Sequence, residues 1–384
     1  MPETIPYGKQ SISESDIESI VRVLRSDYLT QGPAVPAFEK AIVEKSNAQF
    51  AVAVNSATSA LHIACLALGV GPRDTVWTSP TTFVASANCA RFCGASVDFV
   101  DIGPQTWCMS AENLKKKLEH HQAANFALPK VVIPVHLSGQ SCNMQAISEL
   151  GQQYGFSIIE DASHAIGGSF QNAPVGSCRY SDITVFSFHP VKIITSGEGG
   201  MALTNEKKLS DHMARLRTHG ITRDSKQLNH EPDGPWYYEQ LELGFNFRMT
   251  DIQAVLGLSQ LGRLEEFVVR RNELAQRYDE DLAEITVQLQ KIPDDVYSAR
   301  HLYVIRVPSE QHCDIFKSLR YKGIGVNLHY MPVHLQPYYK KLGFAAGQFP
   351  EAEAYGNEAI TLPLFTDLSD VQQKRVVKVL SDLL

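Results

Sequence analysis

The sequence predicts an α/β protein: a large domain on a mainly parallel, seven-stranded sheet, followed by a smaller α+β domain. From about residue 50 to 205, short apolar or β-branched runs alternate with amphipathic segments, the pattern of βα units. At 384 residues the chain is too long for one minimal core, so a large domain is expected over 1–260 and a small one over 261–384. The composition, 44% hydrophobic and 20% charged, is that of a globular chain and excludes extended disorder.

Each element has its own signal. Near the start, Ser15 and Glu18 predict a capping box ahead of Ile20, Val21 and Leu24. The expected strands are 50–54, 75–78, 96–100, 130–134, 157–160, 182–186 and 200–203. Between the first two, Leu61, Ala64, Cys65 and Leu68 recur at helical spacing and Gly69 stops the pattern, giving a helix with one face on the sheet. The pattern over 250–282, with no glycine after Gly262, predicts one or two connecting helices. Beyond it, HLYVIRV, a helix over 313–322 and GIGVNLHYMPVH make up the smaller domain. No repeat or low-complexity linker separates the two parts, so close packing is expected.

Charge and cysteine usage narrow the functional classes. A formal net charge of -7 leaves no basic excess for nucleic acid. The N-terminal MPETIPYGKQ lacks a signal-peptide core, and no stretch is long enough to cross a bilayer, so a cytoplasmic protein without a membrane partner is expected. The seven cysteines are scattered, as suits reduced, buried thiols. Cys89 and Cys93 could share a helix face, but no second pair or nearby histidine in the sequence completes a metal site, and no metal is expected.

In an open parallel sheet, ligands collect beyond the carboxyl ends of the strands. After Val54 comes Asn55-Ser56-Ala57-Thr58-Ser59-Ala60, where free N–H groups at a helix start suit a phosphate, and plain helix capping is the competing reading. After the second strand, Phe83 stands at the rim, as a ring-stacking group or a core residue. The strand at 157–160 delivers Asp161, which must be paired or solvated and could equally be an N-cap, then His164. Ser187 and Lys192 follow the sixth strand. A lysine in that polar-poor turn is poorly hydrated, which would depress its pKa and free its amine to condense with an aldehyde, unless it snorkels to water. Gly197, Gly199 and Gly200 are read as giving the backbone room to turn into the next strand.

Together these loops offer a phosphate cradle (Ser56, Ala57, Thr58, Ser187), a flat aromatic (Phe83), an acid (Asp161) and an amine (Lys192). Those are the groups pyridoxal 5'-phosphate needs. No G-x-G-x-x-G follows the first strand, where NSATSA stands instead, so a dinucleotide fold is disfavoured.

The motifs LTQGP, NSATSALH, TSPTTFVASAN, PVHLSGQ, EDASHAIGG, FSFHPVKIITSGEGG, GFNFRMTDIQ and HYMPVH, in this order over nearly the whole chain, resemble the DegT/DnrJ/EryC1/StrS family of sugar aminotransferases. The resemblance implies the fold of type I pyridoxal-phosphate transferases, with Lys192 carrying the cofactor, Asp161 on the pyridinium nitrogen and Phe83 stacked on the ring. It also implies Ala57, Thr58 and Ser187 on the phosphate, Asn246 reaching in from the other subunit of a homodimer, and His164 near the phenolic oxygen, where glutamine often stands. Tyr7, His329 and Tyr330 match positions lining the sugar-nucleotide cleft, and Arg248 would meet either the amino donor's carboxylate or the diphosphate. FSFHPVK with GEGG is similar to the branch that aminates C4 of a UDP-linked 4-keto-6-deoxy-N-acetylhexosamine on the way to pseudaminic acid, with L-glutamate as donor. Two alternatives remain. One is C3 dehydration by the same family, whose known dehydratases replace the lysine with histidine, the iron–sulfur type adding clustered cysteines; the other is a non-catalytic sensor, which has no need of both Lys192 and Asp161.

Overall fold

The computed structural model describes residues 4–384. Two helices, α1 (Glu14–Leu24) and α2 (Ala34–Ser46), precede the sheet. Its strands are β1 (Phe50–Val54), β2 (Thr75–Thr78), β3 (Ser96–Phe99), β4 (Val131–Ile133), β5 (Ser157–Asp161), β6 (Ile183–Ser187) and β7 (Gly200–Thr204). All seven expected strands are present, and they lie in the order β1-β7-β6-β5-β4-β2-β3. Only β7 runs antiparallel to its neighbours, β1 and β6. Between successive strands lie α3 (Ala57–Ala67), α4 (Ala85–Phe92), α5 (Ala111–Ala123) and α6 (Met144–Tyr154), and α7 (Lys207–Leu216) follows β7. The helix pattern ending at Gly69 is α3, and Gly69 takes the left-handed φ of 73° that favours glycine after a helix.

Strand side chains alternate between two apolar layers. Val52, Val54, Ile159, Val185 and Ala202 pack with α3 and α4. Ala53, Phe186, Met201 and Leu203 face the other way, onto Phe38 and Ile42 of α2. The first helix is capped two residues earlier than expected. Ser13, not Ser15, is the N-cap, and Asp16, not Glu18, closes the box. The reason is tertiary: Asp16 also accepts from Ser259, Gln260 and Arg263, a set of partners that Glu18 does not have.

The pattern over 250–282 forms two helices, α8 (Asp251–Leu261) and α9 (Leu264–Asp281), separated at Gly262 and Arg263. Helix α9 serves two cores: Leu264, Phe267 and Val268 pack on the large sheet's layer, whereas Leu274, Ala275 and Tyr278 pack on the C-terminal one. That second core surrounds an antiparallel sheet of β8 (Gln288–Leu289), β9 (Tyr303–Arg306) and β10 (Ala359–Leu362), with α10 (Ser309–Tyr321) and the helix Asp370–Ser381. Ile5 belongs to it as well, its N–H donating to Gly323 O at 2.9 Å and its carbonyl accepting from Gly325 N–H at 2.6 Å. The chain start is thereby tied to the segment that leads into His329 and Tyr330.

Six cysteines are buried and Cys313 is exposed, all as free thiols. The structure adds a neighbourhood the linear sequence hides: Cys65 Sγ of α3 lies 3.7 Å from Cys89 Sγ of α4, and Cys93 is near enough to Cys65 and His62 for them to lower its thiol pKa. Thus three thiols and a histidine do gather, on helix faces buried against each other, and none of the three sulfurs lines the cavity described below. Among the described residues no group of histidine, cysteine or acidic side chains is arranged to hold a metal ion. No helix there is long and apolar enough to cross a membrane.

Candidate active site

Beyond the carboxyl ends of β1, β5 and β6 opens a cavity of about 970 Å³. Its floor on one side is the start of α3. Ser56 caps that helix, its hydroxyl accepting from Ser59 N–H at 3.2 Å, and Ala57 and Thr58 follow on the cavity wall. Capping and anion binding are therefore compatible here, because the cap satisfies Ser59 while the first helical N–H groups have no partner within the helix. Ser187, the last residue of β6, faces the same space.

The glycines after Lys192 work in two ways. Gly197 has φ +80°, a turn conformation an L side chain rarely adopts. Gly200 is needed for room instead: a Cβ there would sit 2.4 Å from Ala57 N, so glycine lets β7 pass directly beneath the helix start.

Asp161 ends β5 and is 6% exposed. Its Oδ1 accepts from Ser163 N–H at 3.1 Å and Ser163 Oγ–H at 2.5 Å; its Oδ2 accepts from Ser86 Oγ–H at 2.6 Å. The Ser163 bond is a local turn contact rather than a helix cap, because no helix follows. Phe83 projects from the turn before α4 with 57% of its surface exposed, which rules out the core reading. Its ring centroid lies 6.1 Å from that of Tyr330.

Lys192 follows β6 in a turn closed by its N–H to His189 O at 2.9 Å, and its side chain lines the cavity. Burial lowers its pKa to about 8, against the opposing pull of the Asp161 carboxylate. Desolvation is thus the whole cause, without help from a neighbouring cation. The imidazoles around it stay neutral. Burial first, and then the charge of Lys192, press His164 well below its ordinary value and bring His329 to about 4. His164 Nδ1 accepts from Ser138 N–H at 3.3 Å, which leaves the proton on Nε2, 3.1 Å from Tyr330 Oη. His329 Nδ1 lies 2.9 Å from Thr361 Oγ1, and Tyr7 packs on its ring at 5.2 Å.

With this geometry in view, the comparison with known families is decisive. A model of the DegT/DnrJ/EryC1/StrS aminotransferase family matches residues 10–381. The chain belongs to this family. It is 36% identical to the spore coat polysaccharide biosynthesis protein SpsC of Bacillus subtilis, over 99% of this chain and 97% of that one. It is 38% identical to the UDP-4-amino-4,6-dideoxy-N-acetyl-beta-L-altrosamine transaminase of Campylobacter jejuni, over 88% and 86% respectively. Among solved structures, the sugar aminotransferase Spr1654 of Streptococcus pneumoniae in its PMP form superposes with a TM-score of 0.89 at 31% identity, covering 99% of this chain and 98% of that one. PseC of Helicobacter pylori, an aminotransferase of pseudoaminic acid biosynthesis, does so at 0.89 and 28%, covering 99% of this chain and 99% of that one.

In this aminotransferase-family chain the cavity brings together Tyr7, Ala57, Thr58, Phe83, Asp161, His164, Ser187, Lys192, His329 and Tyr330. It does not bring in Asn246 or Arg248. Asn246 bridges Thr218, and Arg248 bridges Val54 and lines a separate hollow with Gln31, Gly32 and Arg217. The sequence reading missed Ser86 and Ser163 on Asp161, Ser138 on His164, and His301, whose ring lies 4.4 Å from that of His164. Ser163 was within reach, since a hydroxyl two residues after an aspartate is a common turn partner. Ser138 and His301 carry no comparable local signal.

Proposed function

We propose that this chain is a pyridoxal-phosphate-dependent aminotransferase that moves an amino group from L-glutamate to C4 of a UDP-linked 4-keto-6-deoxy-N-acetylhexosamine, for a pseudaminic acid-type glycan. The observation that carries the reading is one loosely protonated amine, Lys192, and one buried carboxylate, Asp161, facing a single cavity of about 970 Å³. The donor set fits the cofactor: free helix N–H groups and Ser187 for a phosphate, Asp161 for a ring nitrogen, Phe83 for a ring face, and a cavity at the upper end of the usual ligand-site range of about 300–1,000 Å³, with space left for a sugar nucleotide. When bound, pyridoxal phosphate supplies an electron sink for a carbon that loses a proton.

The protein's own residues do the rest. Lys192 Nζ takes the proton from the amino donor's carbon and returns one to the sugar side. His164, neutral and carrying its proton on Nε2, donates a hydrogen bond without adding positive charge. Tyr7, His329 and Tyr330 wall the acceptor side.

The Campylobacter relative supports the UDP-sugar assignment. SpsC, matched over more of this chain, is named for spore coat polysaccharide biosynthesis and not for that sugar, which leaves room for a second reading in which another UDP- or dTDP-linked 4-keto-6-deoxy sugar is the acceptor. We further infer a cytoplasmic homodimer in which Asn246 and Arg248 serve the partner's cavity. Both lie outside their own cavity and follow a segment with Trp236 and Leu243 exposed. Incubation with L-glutamate and a panel of UDP- and dTDP-linked 4-keto sugars, read by mass and NMR, tests the substrate. Amination of UDP-N-acetyl sugars at C4 is expected, and conversion of dTDP sugars alone would replace that assignment with the second reading.

A further inference from the structure

The carboxylate of Asp161 has four acceptor positions, and the structure fills three. Oδ1 takes two donors, Ser163 N–H and Ser163 Oγ–H, at 3.1 and 2.5 Å. Oδ2 takes one, Ser86 Oγ–H at 2.6 Å. A carboxylate oxygen accommodates about two hydrogen bonds, so the unfilled position is on Oδ2. Ser86 is completely buried and has two further neighbours, Thr82 Oγ1 at 2.7 Å and Phe83 O at 3.4 Å, the latter too long to compete with the 2.6 Å carboxylate for its hydrogen. A serine hydroxyl has one hydrogen, and the carboxylate can only accept. The direction of both bonds is then fixed: Thr82 donates to Ser86, and Ser86 donates to Asp161. Thr82 itself is 2% exposed, so the chain of donors runs through low-dielectric surroundings where such bonds strengthen one another.

The same turn holds Phe83. Ser86 N–H donates to Phe83 O at 3.3 Å, and Ser86 lies in the first turn of α4, whose residues pack on β2 and β3. One turn thus places both the exposed ring and the hydroxyl that holds the carboxylate.

We propose that Ser86 is a positioning residue: with Ser163 it locks the rotation of the Asp161 carboxylate and leaves Oδ2 as the oxygen that meets a ring nitrogen in the cavity. The inference rests on the cofactor reading above. Ser86 touches no reacting atom, and it acts through Asp161. Its hydrogen bond also draws charge from the carboxylate. Without it, the fuller negative charge holds protons on a bound cofactor more tightly.

The test uses purified protein loaded with pyridoxal phosphate, comparing wild type with Ser86→Ala, Ser86→Thr and Ser163→Ala. The readouts are the pH titration of the bound cofactor's visible absorbance, cofactor affinity, and kcat and KM for L-glutamate. In Ser86→Ala the absorbance midpoint moves up by about half to one pH unit, the equivalent of one buried hydrogen bond. In the same variant kcat falls roughly ten- to hundred-fold, the worth of a hydrogen bond to a charged group, while KM changes less than about threefold. Ser86→Thr, which keeps the hydroxyl, restores both. Ser163→Ala gives a smaller shift of the same sign, because Oδ1 keeps the backbone donor, and it serves if Ser86→Ala does not fold. An unchanged titration and kcat in Ser86→Ala, or a Ser86→Thr protein as impaired as Ser86→Ala, overturns the inference while the cofactor reading stands. A wild-type protein with no visible band that depends on Lys192 overturns the cofactor reading, and the inference with it.

Discussion

Glu160 and Asp161 are consecutive residues at the end of β5, and the alternation of a strand sends them to opposite faces of the sheet. Both are about 6% exposed, yet their surroundings differ in kind. Glu160 is enclosed by partners: His136 Nε2 at 2.7 Å, Ser181 Oγ at 2.5 Å and Thr184 Oγ1 at 3.1 Å. Asp161 faces a cavity with an acceptor position unfilled. Burial alone therefore does not mark a functional carboxylate. Unused hydrogen-bonding capacity directed at a ligand-sized space does: Glu160 also has three donors and one position unfilled on Oε2, but the hollow it lines holds only about 10 Å³ against about 970 Å³ beside Asp161.

The largest test of the contrast removes the amine on the Asp161 face. Lys192→Ala is expected to lose amino transfer by roughly four orders of magnitude, the upper range for deleting a proton-transferring group. Rates are measured with L-glutamate and a 4-keto sugar nucleotide, and wild-type transfer by the variant would end the catalytic reading. Next comes an exchange of acids for amides on the two faces. Asp161→Asn should cut kcat at least about a hundred-fold with little change in thermal midpoint. Glu160→Gln should do the reverse: kcat per folded molecule within a few-fold, and a loss of about 2 kcal/mol of stability, the scale of hydrogen bonds to a buried charge. Were Glu160→Gln to lose activity while keeping its stability, the division between the faces would be wrong.

A smaller, continuous test uses the pH dependence of Lys192. Its folded pKa is lowered to about 8, so below that pH the free amine falls tenfold per unit. Combination of cofactor-free protein with pyridoxal phosphate should follow the same slope and level off above about 8, observed in the visible absorbance. A rate still rising to pH 10 would mean the amine sits in water.

The legible part of the molecule is what depends on local pattern. All seven strands of the large sheet were readable, because buried parallel strands are short apolar runs between helical repeats. Lys192, Asp161 and the α3 start were readable too, since each directly follows such a strand. What was not readable depends on approach in space. The cap lies at Ser13 and not at the expected Ser15 because Asp16 is chosen by residues more than two hundred positions away. The sulfur group joins helices α3 and α4, and the completion of Glu160 comes from His136, Ser181 and Thr184, 21 to 24 residues off. Arg248 could not be placed from the sequence either, and in this chain it lines a hollow separate from the cavity, as its neighbour Asn246 also stays outside it.

The smallest expected effect probes Glu160 by acid alone. Burial by itself would raise the Glu160 pKa, but His136, Ser181 and Thr184 outweigh it and the net displacement is below the ordinary 4.5. A carboxyl whose folded pKa is depressed binds protons more readily when unfolded. Its stabilising contribution is therefore complete above the unfolded value and disappears as pH falls through the folded one. Wild-type denaturation midpoints should drop between about pH 6 and about pH 3, with part of that slope owed to Glu160. The midpoint is the right quantity, since a chain with two cores need not unfold in one step. Glu160→Gln has nothing to protonate at this position, so its curve should start lower and run flatter, meeting the wild type at the acid end. Equal slopes in wild type and Glu160→Gln would show that the His136–Glu160 knot is indifferent to charge, and the contrast between the two faces would then rest on geometry alone.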